Sequence, residues 1–374
     1  MLSLQAVCAI ALAARDDGGS VITSTYNDLS HRIGLSDPDA GNWSFSYNAL
    51  GELIDQTDAR SVITHHVYDT LGRLTTRTAT NNDSVDPSLK VIRDRFMYDQ
   101  ANGLGLLGTA FRFTGSSETS LGMIWKESNN YQANTSRLER QVSTLQGLAQ
   151  AWTTGYTYDG YGRLQTTTYP SGLAVKKSYT DYGQLQELSD AVSGGVYWTA
   201  TAQDAWGNIS EESILGIDGT HTSYASTGQS RRKEWMNGPS LLNELKYTYD
   251  SFGNLKIQST AQTGIDANET YSYDGLQRLT KTTRSGVSGN PAPVTYDYHP
   301  NGNLKFKSDY STTTQSAYAY DAGTCGPHAV SSVARSGGGS DSYTCDALNP
   351  GSTVRCQSAP LACDAFLDWE RALR

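Results

Sequence analysis

One nine-residue string occurs twice in nearly the same form: Tyr-Thr-Tyr-Asp-Gly-Tyr-Gly-Arg-Leu from Tyr156 to Leu164, and Tyr-Thr-Tyr-Asp-Ser-Phe-Gly-Asn-Leu from Tyr247 to Leu255. Repetition at a period of tens of residues restricts a chain to architectures that stack one supersecondary unit on the next. Further copies are Phe45-Ser46-Tyr47-Asn48 before Gly51 and Leu53, Tyr68-Asp69 before Gly72-Arg73-Leu74, Tyr271-Ser272-Tyr273-Asp274 before Arg278-Leu279, and Tyr296-Asp297-Tyr298 before Gly302-Asn303-Leu304. Weaker members lie at Tyr98-Asp99, Tyr182-Gly183, Trp206-Gly207-Asn208 and Tyr320-Asp321. Most successive copies are about 21 to 25 residues apart.

The motif reads as a β-hairpin. Tyr-x-Tyr puts two rings on one face of a strand, because side chains alternate with period two. The Asp of Tyr158-Asp159 or Tyr249-Asp250 opens a turn by accepting bonds from amides just ahead, and Gly162 or Gly253 takes the positive φ that other residues avoid. Arg163-Leu164, Asn254-Leu255 and Arg278-Leu279 then start the return strand. A lone hairpin is marginal in water, so each copy must bury its Tyr and Leu face against its neighbours. The expected fold is therefore all-β, an array of stacked hairpins forming a long curved sheet. The Tyr, Asp, Gly and Leu residues are expected to build it.

Composition agrees: 374 residues contain 23 Tyr and 36 Gly but only 37% hydrophobic residues, which suits sheets with thin cores. The net charge of -9 speaks against nucleic acid as a partner. The short run Arg231-Arg232-Lys233 reads as a solvated loop. No stretch reaches the roughly 20 apolar residues of a spanning helix. Ala6 to Ala14 has the apolar character of a signal-peptide centre without a basic segment before it.

These residues resemble the RHS/YD-repeat family, named for the Tyr-Asp pair found here at Tyr68-Asp69, Tyr158-Asp159, Tyr249-Asp250 and Tyr273-Asp274. The resemblance runs from about Thr25 to about Val333, and Ser36 to Gly41, Tyr169 to Leu173 and Gly326-Pro327-His328-Ala329-Val330 look like that family's connecting segments. It implies a piece of a hollow shell of spiralling hairpins, as in insecticidal toxin complexes, bacterial polymorphic toxins and animal teneurins. Such a shell encloses or carries a variable C-terminal segment, often a toxin. Partners would be other shell segments or a toxin cargo, at a secreted or cell-surface location. Two departures stand out. The chain is shorter than a complete shell, leaving two sheet edges open. The Asp-Pro-x-Gly segment that closes toxin-releasing shells is not found; the one Asp-Pro is Asp37-Pro38, which reads as a turn before Trp43.

Residues 1–24 are read as an irregular or signal-like N-terminus, 25–335 as the repeat array, and 336–374 as a Gly/Ser linker with a degenerate or variable tail. Tyr343-Thr344-Cys345-Asp346 looks like one more copy with Cys in place of Tyr. Pro360 to Arg374 could form a short helix, and the tail is open between a degenerate end, a folded cap and the start of a toxin. Cys8 stands alone, while Cys325, Cys345, Cys356 and Cys363 fall near the end without a Cys-x-x-Cys pair. A metal site is not expected, and local disulfides and free thiols remain alternatives.

A search for chemistry finds no Gly-x-Ser-x-Gly, Walker loop or His-Glu-x-x-His. His65-His66 precedes Tyr68 in an expected strand and reads as structural. The acidic turns lack the ligand density and period of calcium loops. No catalytic residue, cofactor or metal is assigned. The expected function is a non-enzymatic shell segment; the alternatives are a module whose outward tyrosines hold carbohydrate or a cell surface, and a self-cleaving or toxin enzyme.

Overall fold

A computed structural model describes residues 10–80, 91–115, 122–262, 264–286, 291–312, 317–322 and 325–345. Among the described residues every regular element is a strand. The chain divides into two compact units, one of residues 1–97, 109–126 and 296–374, the other of 98–108 and 127–295.

The first unit begins with β1 (Ile10–Arg15), β2 (Val21–Tyr26), β3 (Arg32–Asp37), β4 (Gly41–Tyr47), β5 (Leu53–Thr57), β6 (Ile63–Tyr68), β7 (Leu74–Thr80) and β8 (Val91–Tyr98). Each pairs antiparallel with the next. After β9 (Leu107–Thr114) and β10 (Met123–Tyr131), the second unit contains β11 (Leu138–Leu145), β12 (Trp152–Tyr158), β13 (Leu164–Thr168), β14 (Ala174–Tyr179), β15 (Leu185–Asp190) and β16 (Val196–Gln203). It continues through β17 (Ile209–Ile214), β18 (Ile217–Ser223), β19 (Ser230–Asn237), β20 (Ser240–Tyr249), β21 (Leu255–Gln262), β22 (Ile265–Tyr273) and β23 (Leu279–Ser285). From β11 onward these too form an uninterrupted antiparallel meander. The first unit is completed by β25 (Leu304–Lys307), which pairs with the end of β24 (Val294–Tyr298), and by a separate sheet of β26 (Tyr318–Tyr320), β27 (Val330–Ala334) and β28 (Ser340–Ser342).

Alternation sets the faces. In β20, Tyr247 and Tyr249 are half-buried while Lys246 and Thr248 are exposed, and β22 treats Tyr271, Ser272 and Tyr273 the same way. Fully buried side chains are sparse, so cohesion comes from hydrogen-bonded strands and ion pairs on the sheet faces. In the first unit Asp94, 6% exposed, accepts from Arg77 Nε at 3.0 Å and Arg112 Nε at 2.7 Å. Burial alone would raise its pKa; the two guanidiniums outweigh that and hold it below the usual carboxylate value. In the second unit Arg232 bridges Glu234 and Glu244.

The structure departs from the sequence expectation at several places. The stretch expected to be irregular before residue 25 contains β1 and β2, paired from Ile10↔Tyr26 to Arg15↔Val21. Arg231-Arg232-Lys233 lies in β19, where Arg232 and Lys233 face Lys246 and Leu245 across the ladder. The Gly/Ser stretch after Arg335 is the turn of the β27–β28 hairpin, with Arg335 N donating to Gly339 O and Gly338 N to Arg335 O. That hairpin is well packed: Val333 and Asp341 are each 1% exposed, and Asp341 takes Arg335 and the Tyr310 hydroxyl as donors. Tyr343 N donates to Ser331 O, and the turn expected after Cys345 would begin at Asp346, which lies outside the described residues. Of the cysteines, Cys325 and Cys345 form a disulfide, across 20 residues, resolving the open alternatives for that pair. Cys8, Cys356, Cys363 and the short helix expected from Pro360 lie outside the described residues.

Candidate functional site: the repeated turn and the histidine clasp

The Tyr-Asp motif folds the same way at each strong copy. Tyr68, Tyr158, Tyr249, Tyr273 and Tyr298 end their strands and pair with Leu74, Leu164, Leu255, Leu279 and Leu304, each time after a bulge. Between them the chain closes a five-residue loop. Asp69 N donates to Arg73 O and Gly72 N to Asp69 O, and the same pair of bonds recurs at Asp159 and Asp250. The carboxylate fills the loop: Asp69 Oδ1 accepts from Leu71 N at 2.9 Å and Arg73 N at 3.0 Å, while Oδ2 accepts from Arg73 Nε at 2.7 Å. Asp159 with Arg163, Asp274 with Arg278 and Asp250 with Asn254 repeat the arrangement. Arg and Asn are interchangeable at that place because either offers one N–H to the carboxylate.

This wiring lowers the carboxyl pKa of Asp69 and Asp274, first through the backbone N–H of Arg73 and Arg278, and that of Asp250, first through the Asn254 amide. The aspartates are thus consumed by their own turns. The glycine position has positive φ at Gly72, Gly162, Gly253 and Gly302, and Gln277 holds it at 63° in the Asp274 copy. The Tyr298 copy departs from the pattern: His299 stands where Asp would be, and Asn303 Nδ2 donates to Pro327 O at 2.7 Å.

The tyrosine hydroxyl couples one hairpin to the previous one. Tyr47, Tyr68 and Tyr320 donate to the carbonyls of Arg32, Leu53 and Leu304 in the first unit; Tyr158, Tyr179 and Tyr273 donate to Leu138, Leu164 and Leu255 in the second. The acceptor is usually the motif Leu of the preceding copy, so the two most repetitive residues meet across the repeat boundary.

Two turns of this kind escape a search for Tyr-Asp-x-x-Gly. Asn27 Oδ1 accepts from Leu29 N and His31 N, and buried Asp58 Oδ1 accepts from Arg60 N and Val62 N. Ser30 and Ser61 occupy the glycine position at φ 63° and 64°. An Asx residue five before the returning strand is the available signal, and the serines mask it.

A second constellation joins residues distant in sequence within the first unit. His328 Nδ1 lies 2.5 Å from Asp39 Oδ2 and its Nε2 lies 2.7 Å from Asp16 Oδ2, with Asp39 Oδ1 accepting the His328 amide at 2.9 Å. Two carboxylates on the two ring nitrogens suit the imidazolium, which alone donates from both. The Asp39 hydrogen bond, joined by that of Asp16, raises the His328 pKa. Gly326 fits because a Cβ there would come 2.6 Å from Pro38 O. Two segments read as family connectors, Ser36–Gly41 and Gly326–Val330, are in fact each other's partners. With both nitrogens engaged, the cluster has no arm left for a metal, and no group of three or more His, Cys, Asp or Glu suited to one occurs among the described residues. His65, on β6, pairs with Asp55 of β5 at 2.7 Å.

A family model for the RHS repeat matches residues 47–84, which span the Tyr47 and Tyr68 turns. Double-stranded DNA deaminase toxin A of Burkholderia cenocepacia (strain H111) is 28% identical over 165 residues, covering 44% of this chain and 10% of that protein. Among solved structures, the TcdB2-TccC3-Cdc42 crystal structure superposes with a TM-score of 0.59 at 14% identity, over 91% of this chain and 21% of that one. The Tc holotoxin pore of Photorhabdus luminescens gives a TM-score of 0.60 at 14% identity, over 90% and 21%. At such identity the likeness is one of fold, and this chain spans about a fifth of those chains' length. The chain thus carries a match to the RHS repeat at residues 47–84, repeats the same turn along both units, and shares the fold of the Tc proteins.

Proposed function

We propose that this chain is a non-enzymatic wall segment of an RHS-type shell, secreted or displayed at the cell surface, that helps enclose or present a toxin-class cargo in bacterial competition or host attack. The carrying observation is the hydroxyl-to-carbonyl bond between successive hairpins, seen from Tyr47 to Tyr320, which spends the motif residues on wall continuity rather than on chemistry. The deaminase toxin name and the Tc assemblies of similar fold support the toxin setting. The Cys325–Cys345 disulfide supports an oxidising location. The test fuses a reporter domain after Arg374 and follows its digestion by trypsin. Slower digestion than for the free reporter is expected; equal rates would remove enclosure from the proposal. Unchanged intact mass after prolonged incubation is expected as well, and a cleaved chain would argue for self-processing.

A second reading, carbohydrate or cell-surface binding, is favoured by one place. Exposed Tyr161 and Tyr182 rim a cavity of about 400 Å³ in which the Arg163 guanidinium lies 4.9 Å from the Tyr161 ring centre and 4.6 Å from that of Tyr179. Aromatic faces beside a fixed guanidinium suit a sugar ring. A glycan array without hits would dismiss it.

A further inference from the structure

In the second unit the turns after β12, β14, β16, β20 and β22 all lie on one edge, because an antiparallel meander returns to the same side every second strand. The residue two places after each turn-opening residue is large, apolar and turned to solvent: Tyr161, Tyr182, Trp206, Phe252 and Leu276, between 56% and 93% exposed. Leu29, Leu50 and Leu71 hold the same place in the first unit. The turn does not need a large apolar side chain there. It uses only the backbone N–H of that residue, as Phe252 N and Leu276 N to Asp250 and Asp274 illustrate.

Little charge stands beside Trp206, Phe252 and Leu276, whereas the Arg163 guanidinium lies against the Tyr161 ring and Asp181 precedes Tyr182. The turn aspartates are bonded inward. The residue before the knob is small at Gly160, Ala205, Ser251 and Gly275, with Asp181 the departure. The skipped turn after β18 accommodates the row too, since a Cβ at Gly228 would come 3.0 Å from the Trp206 ring. Two strands per repeat place neighbouring knobs about 9.6 Å apart. Five such side chains offer on the order of 700 Å² of apolar surface. That exceeds the patch a monomer ordinarily leaves bare and approaches the roughly 800 Å² per partner of a stable interface.

We infer that this ladder of turn tips is an interface whose occupant is a second copy of this chain, docked ladder to ladder about a two-fold axis. A partner must repeat at the same spacing to fill the gaps between knobs, and an identical ladder does so. The inference rests on the wall-segment reading and deepens it, because it assigns segment pairing to the turn tips. Each copy carries a net charge of -9, so the apolar contact forms against mutual repulsion and tightens as salt screens it.

The test is sedimentation velocity of the full chain at low and high salt, for the wild type, the ladder variant Tyr182→Ser/Phe252→Ser, and the opposite-edge variant Val192→Ser/Leu215→Ser. The last pair is also exposed, at 88% and 71%. All four positions are at the surface, and circular dichroism verifies that each variant keeps the wild-type fold. A salt-strengthened dimer, weakened at least tenfold by the ladder variant and unchanged by the opposite-edge variant, is expected. A wild type that stays monomeric, or equal weakening by both variants, overturns the inference. A monomer that still shields the fused reporter sinks the ladder while leaving the wall reading intact; a dimer that fails to shield it does the reverse.

Discussion

Tyr68 Oη donates to the carbonyl oxygen of Leu53 at 2.9 Å, across 15 residues of sequence. The bond fastens one hairpin to its predecessor. Removing only the hydroxyl isolates its worth: Tyr68→Phe or Tyr273→Phe should each lower unfolding free energy by about 1 kcal/mol. A urea titration reads this as a lower midpoint at unchanged slope. Two mutant midpoints equal to that of the wild type would mean that ring packing alone joins the repeats.

The same tyrosines should make the array sensitive to strong alkali. Burial raises the phenol pKa of Tyr68, Tyr158 and Tyr273, and pushes that of Tyr320 up to about 12. A raised folded-state pKa stabilises the fold fully below the unfolded value of 10.0, and the contribution is lost as pH climbs through the folded value. Tyrosinate absorbance should therefore appear late, together with loss of β-sheet circular dichroism, between about pH 10 and 12. A simple titration near pH 10 with the sheet intact would contradict this.

Gln277 carries φ 63° where Gly72, Gly162 and Gly253 stand in other copies. Side chains with a Cβ lose roughly 1 kcal/mol in that region. Gln277→Gly should therefore raise stability by up to about 1 kcal/mol, less the loss of its bond from Asn254. The converse change, Gly162→Ala, should destabilise, since Gly162 holds φ 85°, where a Cβ is strained, and the Arg137 guanidinium would also have to move aside. Thermal melts of the two variants should move in opposite directions.

The clasp at His328 should work within a pH window. Its pKa is raised from 6.5 by Asp39 and then Asp16, so its contribution is complete below that value and fades as pH rises through the raised one. Asp16 is lowered from 3.8: burial opposes this, and the His328 hydrogen bond leads the groups that outweigh it. Its share is therefore lost only as pH falls through the lowered value. The melting temperature of His328→Gln should lie below that of the wild type near pH 6 and converge with it near pH 9. A difference independent of pH would reduce the clasp to packing.

Reduction should loosen the end of the described chain first. A bond spanning 20 residues constrains the unfolded state by roughly 3 kcal/mol. Cys325→Ser/Cys345→Ser, or dithiothreitol, should speed hydrogen exchange in β26–β28 while leaving β12–β23 unchanged. Uniform protection with and without reductant would assign the hairpin's order to Val333, Asp341 and Arg335 alone.

What the sequence determined by itself was the hairpin, because its physics is local. The amides that Asp69 accepts are two and four residues away, Gly72 supplies the positive φ beside them, and Tyr and Leu alternate onto one face. Nine residues contain nearly every partner of such a turn, so reading them amounts to reading the structure. The copies at Asn27 and Asp58 were missed for a local reason too, serine standing where glycine was sought. Only the tertiary structure decided the rest. The acceptor for Tyr68 depends on which hairpin lies alongside, and the solvent-facing row from Tyr161 to Leu276 depends on successive turns returning to one edge. His328 meets Asp39 and Asp16 across 289 and 312 residues. No spacing rule reaches that far, because contacts at such separation are fixed by the path of the intervening strands and not by the residues that touch.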